Sequence, residues 1–215
     1  MARAIEGLYA VTPEMADTDA LARKVEAAVR GGAATVQYRN KTGTDAGRAE
    51  QLRRLAPVCR RHGARLIVND SVALARDVAA DGVHLGREDG DVAAARRVLG
   101  PRAVIGVSCY DDLQRAREVG AAGADYVAFG SFFPSPTKPG AVRASLDLLR
   151  QARRELDLPI VAIGGIGEQN AARLIDAGAD ALAVVSALFD AADVEAQARR
   201  ISRLFPGLRP MAAQR

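Results

Sequence analysis

The chain has 215 residues, 49% hydrophobic and 26% charged, with no Trp and a net charge of +4 from 30 basic and 26 acidic residues. That length suits one barrel-sized domain, and that balance excludes a disordered chain while calling for a core of aliphatics. The positive residues are scattered along predicted helices, which argues against nucleic acid; no apolar run approaches the ~20 residues of a membrane span, and Met1-Ala2-Arg3-Ala4-Ile5-Glu6 lacks a signal-peptide core, so a cytoplasmic protein is expected.

From the N-terminus, β-branched apolar runs and helical periodicity alternate. A strand at Leu8–Thr12 precedes a helix at Ala20–Arg30, and a strand at Thr35–Arg39 precedes a helix at Ala46–Arg61. Strands at Leu66–Asn69 and Val83–Leu85 precede helices at Val72–Ala79 and Val92–Leu99. Strands at Val104–Ser108 and Tyr126–Gly130 lead to helices at Leu113–Ala122 and Leu146–Leu156. Strands at Ile160–Ile163 and Ala181–Ser186 lead to helices at Gln169–Ala177 and Val194–Leu204.

Glycines at Gly31-Gly32, Gly63, Gly100, Gly123 and Gly178 stand where left-handed helix stops are wanted, and Asp19, Asp45, Ser71 and Asp91 stand where N-caps are wanted. Three segments echo one another: Gly32-Ala33-Ala34-Thr35-Val36, Gly123-Ala124-Asp125-Tyr126-Val127 and Gly178-Ala179-Asp180-Ala181-Leu182. Strict alternation of strand and helix implies a parallel sheet, and eight such units imply closure: an α/β fold, a (β/α)8 TIM barrel, as a single domain over residues 1–206 with a loose tail over 207–215. The rival open sheet lacks the GxGxxG fingerprint of dinucleotide binding. Cys59 and Cys109 show no metal-like spacing and are expected to be reduced and structural.

In such a barrel, chemistry belongs at the C-terminal ends of the strands. The two-residue period sends Gln37, Arg39 and Lys41 to one side, a donor and two cations suited to a diphosphate. Asp70 and Asp89 end neighbouring strand units; two carboxylates beside an anion suggest a hard cation such as Mg2+ between them. His84 lies within its strand, which fits a packed, hydrogen-bonded core histidine at least as well as an acid–base group, and no catalytic job is assigned to it, whereas Ser108 places a hydroxyl at the mouth. The loop after the sixth strand carries three prolines with Ser135, Thr137 and Lys138, the composition of a structured or closing loop that presents them to an anion. Gly164-Gly165 after the seventh strand, with the amides after the eighth, fit a phosphate cradle. Two anion-binding regions imply two phosphorylated small-molecule substrates.

The segments Gln37-Tyr38-Arg39-Asn40-Lys41, Val68-Asn69-Asp70, Gly82-Val83-His84-Leu85-Gly86, Gly106-Val107-Ser108, Ser135-Pro136-Thr137-Lys138, Ala162-Ile163-Gly164-Gly165-Ile166 and Val185-Ser186 resemble, in order and from about Gly7 to Phe205, the thiamine phosphate synthase family. The resemblance implies a transferase of thiamine biosynthesis that joins an aminopyrimidine methyl diphosphate to a thiazole phosphate, releasing diphosphate with Mg2+. It assigns Gln37, Arg39, Asn40, Lys41, Asn69, Ser108 and Lys138 to the pyrimidine diphosphate, with Arg39, Lys41, Ser108 and Lys138 as the catalytic set. Asp70 and Asp89 would hold the metal, and Ser135, Pro136, Thr137, Gly165, Val185 and Ser186 would meet the thiazole phosphate. Where the family often has Thr, an acid and Gln, this chain has Ser135, Asn40 and Arg87. A thiazole tautomerase-like isomerase would not need the diphosphate grip, and a non-catalytic thiamine-precursor binding protein would keep the pocket without turnover. A homo-oligomer is left open.

Overall fold

The computed structural model describes residues 5–134, 140 and 142–205. Its strands are β1 (Gly7–Val11), β2 (Ala33–Tyr38), β3 (Arg65–Asn69), β4 (Gly82–Leu85), β5 (Val104–Tyr110), β6 (Tyr126–Gly130), β7 (Ile160–Ile163) and β8 (Ala181–Val184). They are all parallel and close into a barrel in chain order, β8 pairing back onto β1. The helices are α1 (Thr18–Arg30), α2 (Asp45–Arg61), α3 (Val72–Asp77), α4 (Val92–Leu99), α5 (Leu113–Ala121), α6 (Leu146–Glu155), α7 (Glu168–Asp176), α8 (Ser186–Phe189) and α9 (Val194–Ser202). Among the described residues, no helix is long and apolar enough to cross a membrane. The expected tail at 207–215 lies outside the described residues.

Alternation along the strands divides the apolar side chains into two cores. Leu8, Val36, Leu66, Val83, Ile105, Val127, Ile160 and Leu182 face the helices, while Tyr9, Val11, Ile67, Val104, Tyr126, Val161 and Ala183 fill the barrel. Gly106 admits the Tyr126 ring, because a Cβ there would lie 1.9 Å from Tyr126 Cζ. Both thiols are buried, and burial pushes Cys59 and Cys109 up to about 12, so neither is a ready nucleophile.

The echoed Asp positions have a structural meaning at the barrel floor. Asp125, just before β6, accepts from Ile105 N of β5 at 2.7 Å, and Asp180, just before β8, accepts from Ile160 N of β7 at 2.7 Å. Asp81, just before β4, does the same for Leu66 N of β3 at 2.7 Å. Arg96 and Arg153 complete two of these clasps, at 2.6 Å to Asp125 and 2.7 Å to Asp180. Each carboxylate thus satisfies a buried strand-start amide that would otherwise lack a partner.

Three expectations are corrected. The caps of the first two helices are Asp17, accepting from Ala20 N, and Thr44, accepting from Gly47 N; Asp19 and Asp45 instead lie in the first turns, where their charge complements the helix N-terminus. Ser71 and Asp91 cap as expected. The run read as one strand to Ser186 stops at Val184, and Ser186–Phe189 coil into a single helical turn. Lys24 Nζ, reaching from α1, takes the Phe189 carbonyl at 2.5 Å and so anchors the C-terminal end of that turn.

Candidate active site

The ends of β2, β3 and β4 bring most of the expected charged residues together. Gln37, only 4% exposed, donates to Asn69 Oδ1 at 2.7 Å, so its side chain is fixed across two strands. Arg39 follows β2, and its backbone N–H donates to Thr12 Oγ1 at 2.9 Å. Its guanidinium lies 3.2 Å from Glu14, in the loop after β1. Glu14 also accepts from the Thr42 hydroxyl at 2.9 Å, and that bond is the main reason its carboxyl is held below the usual glutamate range, the Lys41 backbone and the Arg39 charge adding to it. Glu14 therefore aims Arg39, a role the sequence did not disclose because an acid after a short strand is ordinary loop composition.

Asn40 shapes the loop that carries Lys41. Its Oδ1 accepts from Thr42 N and Gly43 N at 3.2 and 2.8 Å, and its Nδ2 donates to Gln51 Oε1 at 3.2 Å. Gln51, buried on α2, also accepts from Tyr38 OH at 2.7 Å and donates to Met15 O at 2.8 Å, tying the strand end to the preceding loop.

Lys41 Nζ lies 3.2 Å from Asp70 Oδ2. Asp70 adopts φ 66°, a left-handed conformation that Asp tolerates better than most residues, and its N–H donates to His84 O at 2.8 Å. Asp89 folds back to accept from Gly86 N at 2.7 Å. Its carboxyl is pushed above the usual aspartate range first by burial and then by the hydrogen bond and charge of Asp70, against the opposing pull of Gly86 N–H and Lys41. Two carboxyls facing one another raise each other's cost of ionisation, which a divalent cation would relieve. No cluster of three or more metal-binding side chains occurs among the described residues, so the oxygens available are those of a pair. That donor set suits Mg2+, which commonly takes one or two carboxylates and fills its octahedron with water and phosphate oxygens.

Ser108 stands near the end of β5, where the register with β6 shifts, and its hydroxyl lies 2.9 Å from His84 Nε2. Arg115 of α5 donates to Ser108 O at 2.9 Å and to Gly86 O at 3.2 Å, pinning the strand end to the Asp89 loop. Arg87 stacks over the Tyr110 ring with its Cζ 5.2 Å from the centroid, a cation held near this loop by a π face. His84 is buried, with Nδ1 2.9 Å from Tyr126 OH.

The rim at β7 and β8 is built from backbone. Gly164 and Gly165 adopt φ 104° and 63°, and a Cβ on them would lie 2.0 Å from Ser131 Oγ and 2.3 Å from Pro134 O. Only glycine allows both the left-handed turn and this close approach of the β6 loop. The two carbonyls point away, to Phe133 N at 3.0 Å and to Asn170 Nδ2 at 3.0 Å, and Asn170 Oδ1 accepts from Gly167 N at 3.0 Å. Asn170 was missed by sequence reasoning; an amide three residues after a glycine at a helix start was its signal. Val185 and Ser186 lead into α8, the short extra helix that often follows the eighth strand of such barrels. Ser135, Pro136, Thr137 and Lys138 lie outside the described residues.

Comparison with known proteins places the chain in one family over most of its length. Residues 8–188 match the family described as thiamine monophosphate synthase. The chain is 58% identical to the thiamine-phosphate synthase of Thiobacillus denitrificans, over 93% of this chain and 94% of that one. It is 56% identical to the thiamine-phosphate synthase of Azoarcus sp., covering 95% of this chain and 100% of its relative. In three dimensions it is similar to the thiamine phosphate pyrophosphorylase of Pyrococcus furiosus, with a TM-score of 0.83, 34% identity and coverage of 92% and 94%.

Proposed function

This chain belongs to the thiamine monophosphate synthase family, and on that premise we propose how the residues of its barrel mouth divide the work. The enzyme is a transferase that condenses 4-amino-2-methyl-5-(diphosphooxymethyl)pyrimidine with 4-methyl-5-(2-phosphooxyethyl)thiazole, giving thiamine phosphate and diphosphate. The bond from the pyrimidine methylene to the diphosphate oxygen breaks with its electron pair leaving on oxygen, and the thiazole nitrogen supplies the pair for the new carbon–nitrogen bond. The electron-rich aminopyrimidine stabilises positive charge at that carbon, so the protein's task is to neutralise the leaving group and align the nucleophile.

Arg39 and Lys41 grip the diphosphate, Arg39 as a fork aimed by Glu14 and Lys41 as a point charge beside Asp70. Asp70 and Asp89 would hold Mg2+, which when bound would supply positive charge against the diphosphate oxygens. Gln37 and Asn69, locked to each other, present amide groups to the pyrimidine, and Ser108 donates from its hydroxyl. Asn40 belongs to the same binding set and also shapes the Lys41 loop, and Lys138 adds a third cation. The glycine turn after β7 and the amides at Val185 and Ser186 receive the thiazole phosphate, and Ser135, Pro136 and Thr137 belong to the same binding set. The same reading makes residues 1–206 one barrel domain working in the cytoplasm.

The observation that carries this assignment is the convergence of Lys41, Asp70 and Asp89 from three successive strand ends, with the Asp89 carboxyl raised by burial and then by its neighbour Asp70. The test mixes both precursors with the protein and Mg2+ and follows thiamine phosphate and diphosphate together. One-to-one formation that stops on chelation is expected; turnover unaffected by Asp70→Ala and by Asp89→Ala would overturn the metal assignment.

A further inference from the structure

A chain of hydroxyls and one imidazole runs up the inside of the barrel to the mouth. Tyr9 OH lies 2.7 Å from Tyr126 OH, Tyr126 OH lies 2.9 Å from His84 Nδ1, and His84 Nε2 lies 2.9 Å from Ser108 Oγ. Tyr9 is 1% exposed and Tyr126 0% exposed, so the lower end of the chain is closed to water. We infer that this closed end fixes the direction of every hydrogen bond above it: Tyr9 donates to Tyr126, Tyr126 donates to His84 Nδ1, and His84 donates through Nε2–H to Ser108, leaving the Ser108 proton for the substrate.

The direction follows from counting protons. Each tyrosine has one hydrogen to give, and a neutral imidazole has one donor nitrogen and one acceptor nitrogen. Tyr9 packs in the barrel's apolar cluster with Ile5, Val11, Ile67 and Val161, and among the described residues Tyr126 is the one hydrogen-bond partner of its hydroxyl. Thr35, paired with Tyr9 across β1 and β2, has a buried hydroxyl that reaches no polar atom among the described residues, so it takes no proton from Tyr9. Were the chain reversed, with Ser108 donating to His84 and His84 to Tyr126, the last proton would stop on Tyr9, buried and without an acceptor among the described residues. An unsatisfied buried donor bears its full desolvation cost. In the forward direction the only unspent proton is that of Ser108, at the open end, where water or a substrate oxygen can take it.

Tyr9, Tyr126 and His84 are thus positioning residues that act through Ser108, and Gly106 is the position that lets the Tyr126 ring into the barrel. The consequence for chemistry rests on the reading of Ser108 as a substrate-facing group: a serine whose oxygen accepts from His84 keeps its own proton to donate to the departing diphosphate.

The chain contains two histidines, so His62→Gln leaves one ring to observe. In this variant labelled with 15N-histidine, the ring nitrogens of His84 should show the Nε2–H tautomer; an Nδ1–H tautomer, or a doubly protonated ring at neutral pH, overturns the inference. Tyr126→Phe removes the donor to Nδ1 and should shift the ring toward a mixture of tautomers. The same change should lower kcat/KM for the diphosphate substrate about tenfold, an effect that must disappear when Ser108 is already Ala. If Ser108→Ala leaves turnover intact while His84 is Nε2–H, the hydrogen-bond direction stands and the substrate role of Ser108 fails. If turnover needs Ser108 but His84 is Nδ1–H, the inference alone fails.

Discussion

The two ends of the barrel put aspartate to opposite uses. At the floor, Asp125 and Asp180 each accept from a strand-start amide and an arginine, so their charge is matched within the fold. At the mouth, Asp70 and Asp89 face one another, with Lys41 and Gly86 N–H as compensating groups, and the Asp89 carboxyl is raised all the same. A carboxylate whose donors are protein groups stabilises the protein; one that confronts another carboxylate stores electrostatic repulsion that a ligand can release. On the proposed assignment, the same residue type serves stability at one end of the strands and chemistry at the other, the division expected of this fold.

The comparison is broken most directly at the mouth. Asp70→Ala or Asp89→Ala should lower kcat by about 10²–10³-fold, the usual scale for losing one preorganised electrostatic group, while circular dichroism and the folded fraction stay unchanged. The floor should behave in the opposite sense. Asp180→Ala leaves Ile160 N and Arg153 without their partner, so it should cost about 2–3 kcal/mol and lower Tm by roughly 4–10 °C, with kcat per folded molecule altered less than about twofold. If Asp180→Ala lost turnover without losing stability, the division would collapse.

Smaller effects sharpen it. Arg39→Ala should raise KM for the pyrimidine diphosphate by about 10-fold, the scale of one charge-assisted hydrogen bond, and leave KM for the thiazole phosphate within about twofold; equal shifts in both would place Arg39 elsewhere. The smallest change is a gain. Because the folded Asp89 carboxyl binds its proton more tightly than an unfolded one, the metal-free protein should lose stability as pH rises from the ordinary aspartate range through the raised one. Asp89→Asn, which keeps an oxygen for Gly86 N–H, should remove that fall and raise the metal-free Tm at neutral pH by about 1–2 °C, a small figure because partly exposed carboxyls are screened. The variant should also lose the rise in Tm that Mg2+ gives to the parent protein, measured by calorimetry.

Much of this was legible in the linear chain. The alternation of β-branched runs with amphipathic segments set out eight strands in order, since period two and period 3.6 are dictated by backbone geometry and survive without knowledge of neighbours. Gln37, Arg39, Asp70, Asp89, Ser108 and Gly165 could be named because strand ends in a parallel barrel converge on one face. Which oxygen caps a helix was less legible: Asp17 and Asp19 are both good caps, and only the path of the preceding loop chose between them. The strand after Ala181 ran on to Ser186 in the sequence because Val184-Val185 is as apolar as the strand before it, whereas the chain in fact turns into α8 there.

The sequence by itself determined the period of each element, the order of the strands and the residue types at their ends, because these depend on contacts within a few residues. The partners across the barrel were decided by closure alone. Glu14 aiming Arg39, Arg115 bridging Ser108 to the Asp89 loop, and the line from Tyr9 through Tyr126 and His84 to Ser108 join residues that are 25, up to 29 and up to 117 positions apart. Hydrogen bonds act over about 3 Å and carry no trace of such separations, so only the closed sheet could bring those atoms within reach.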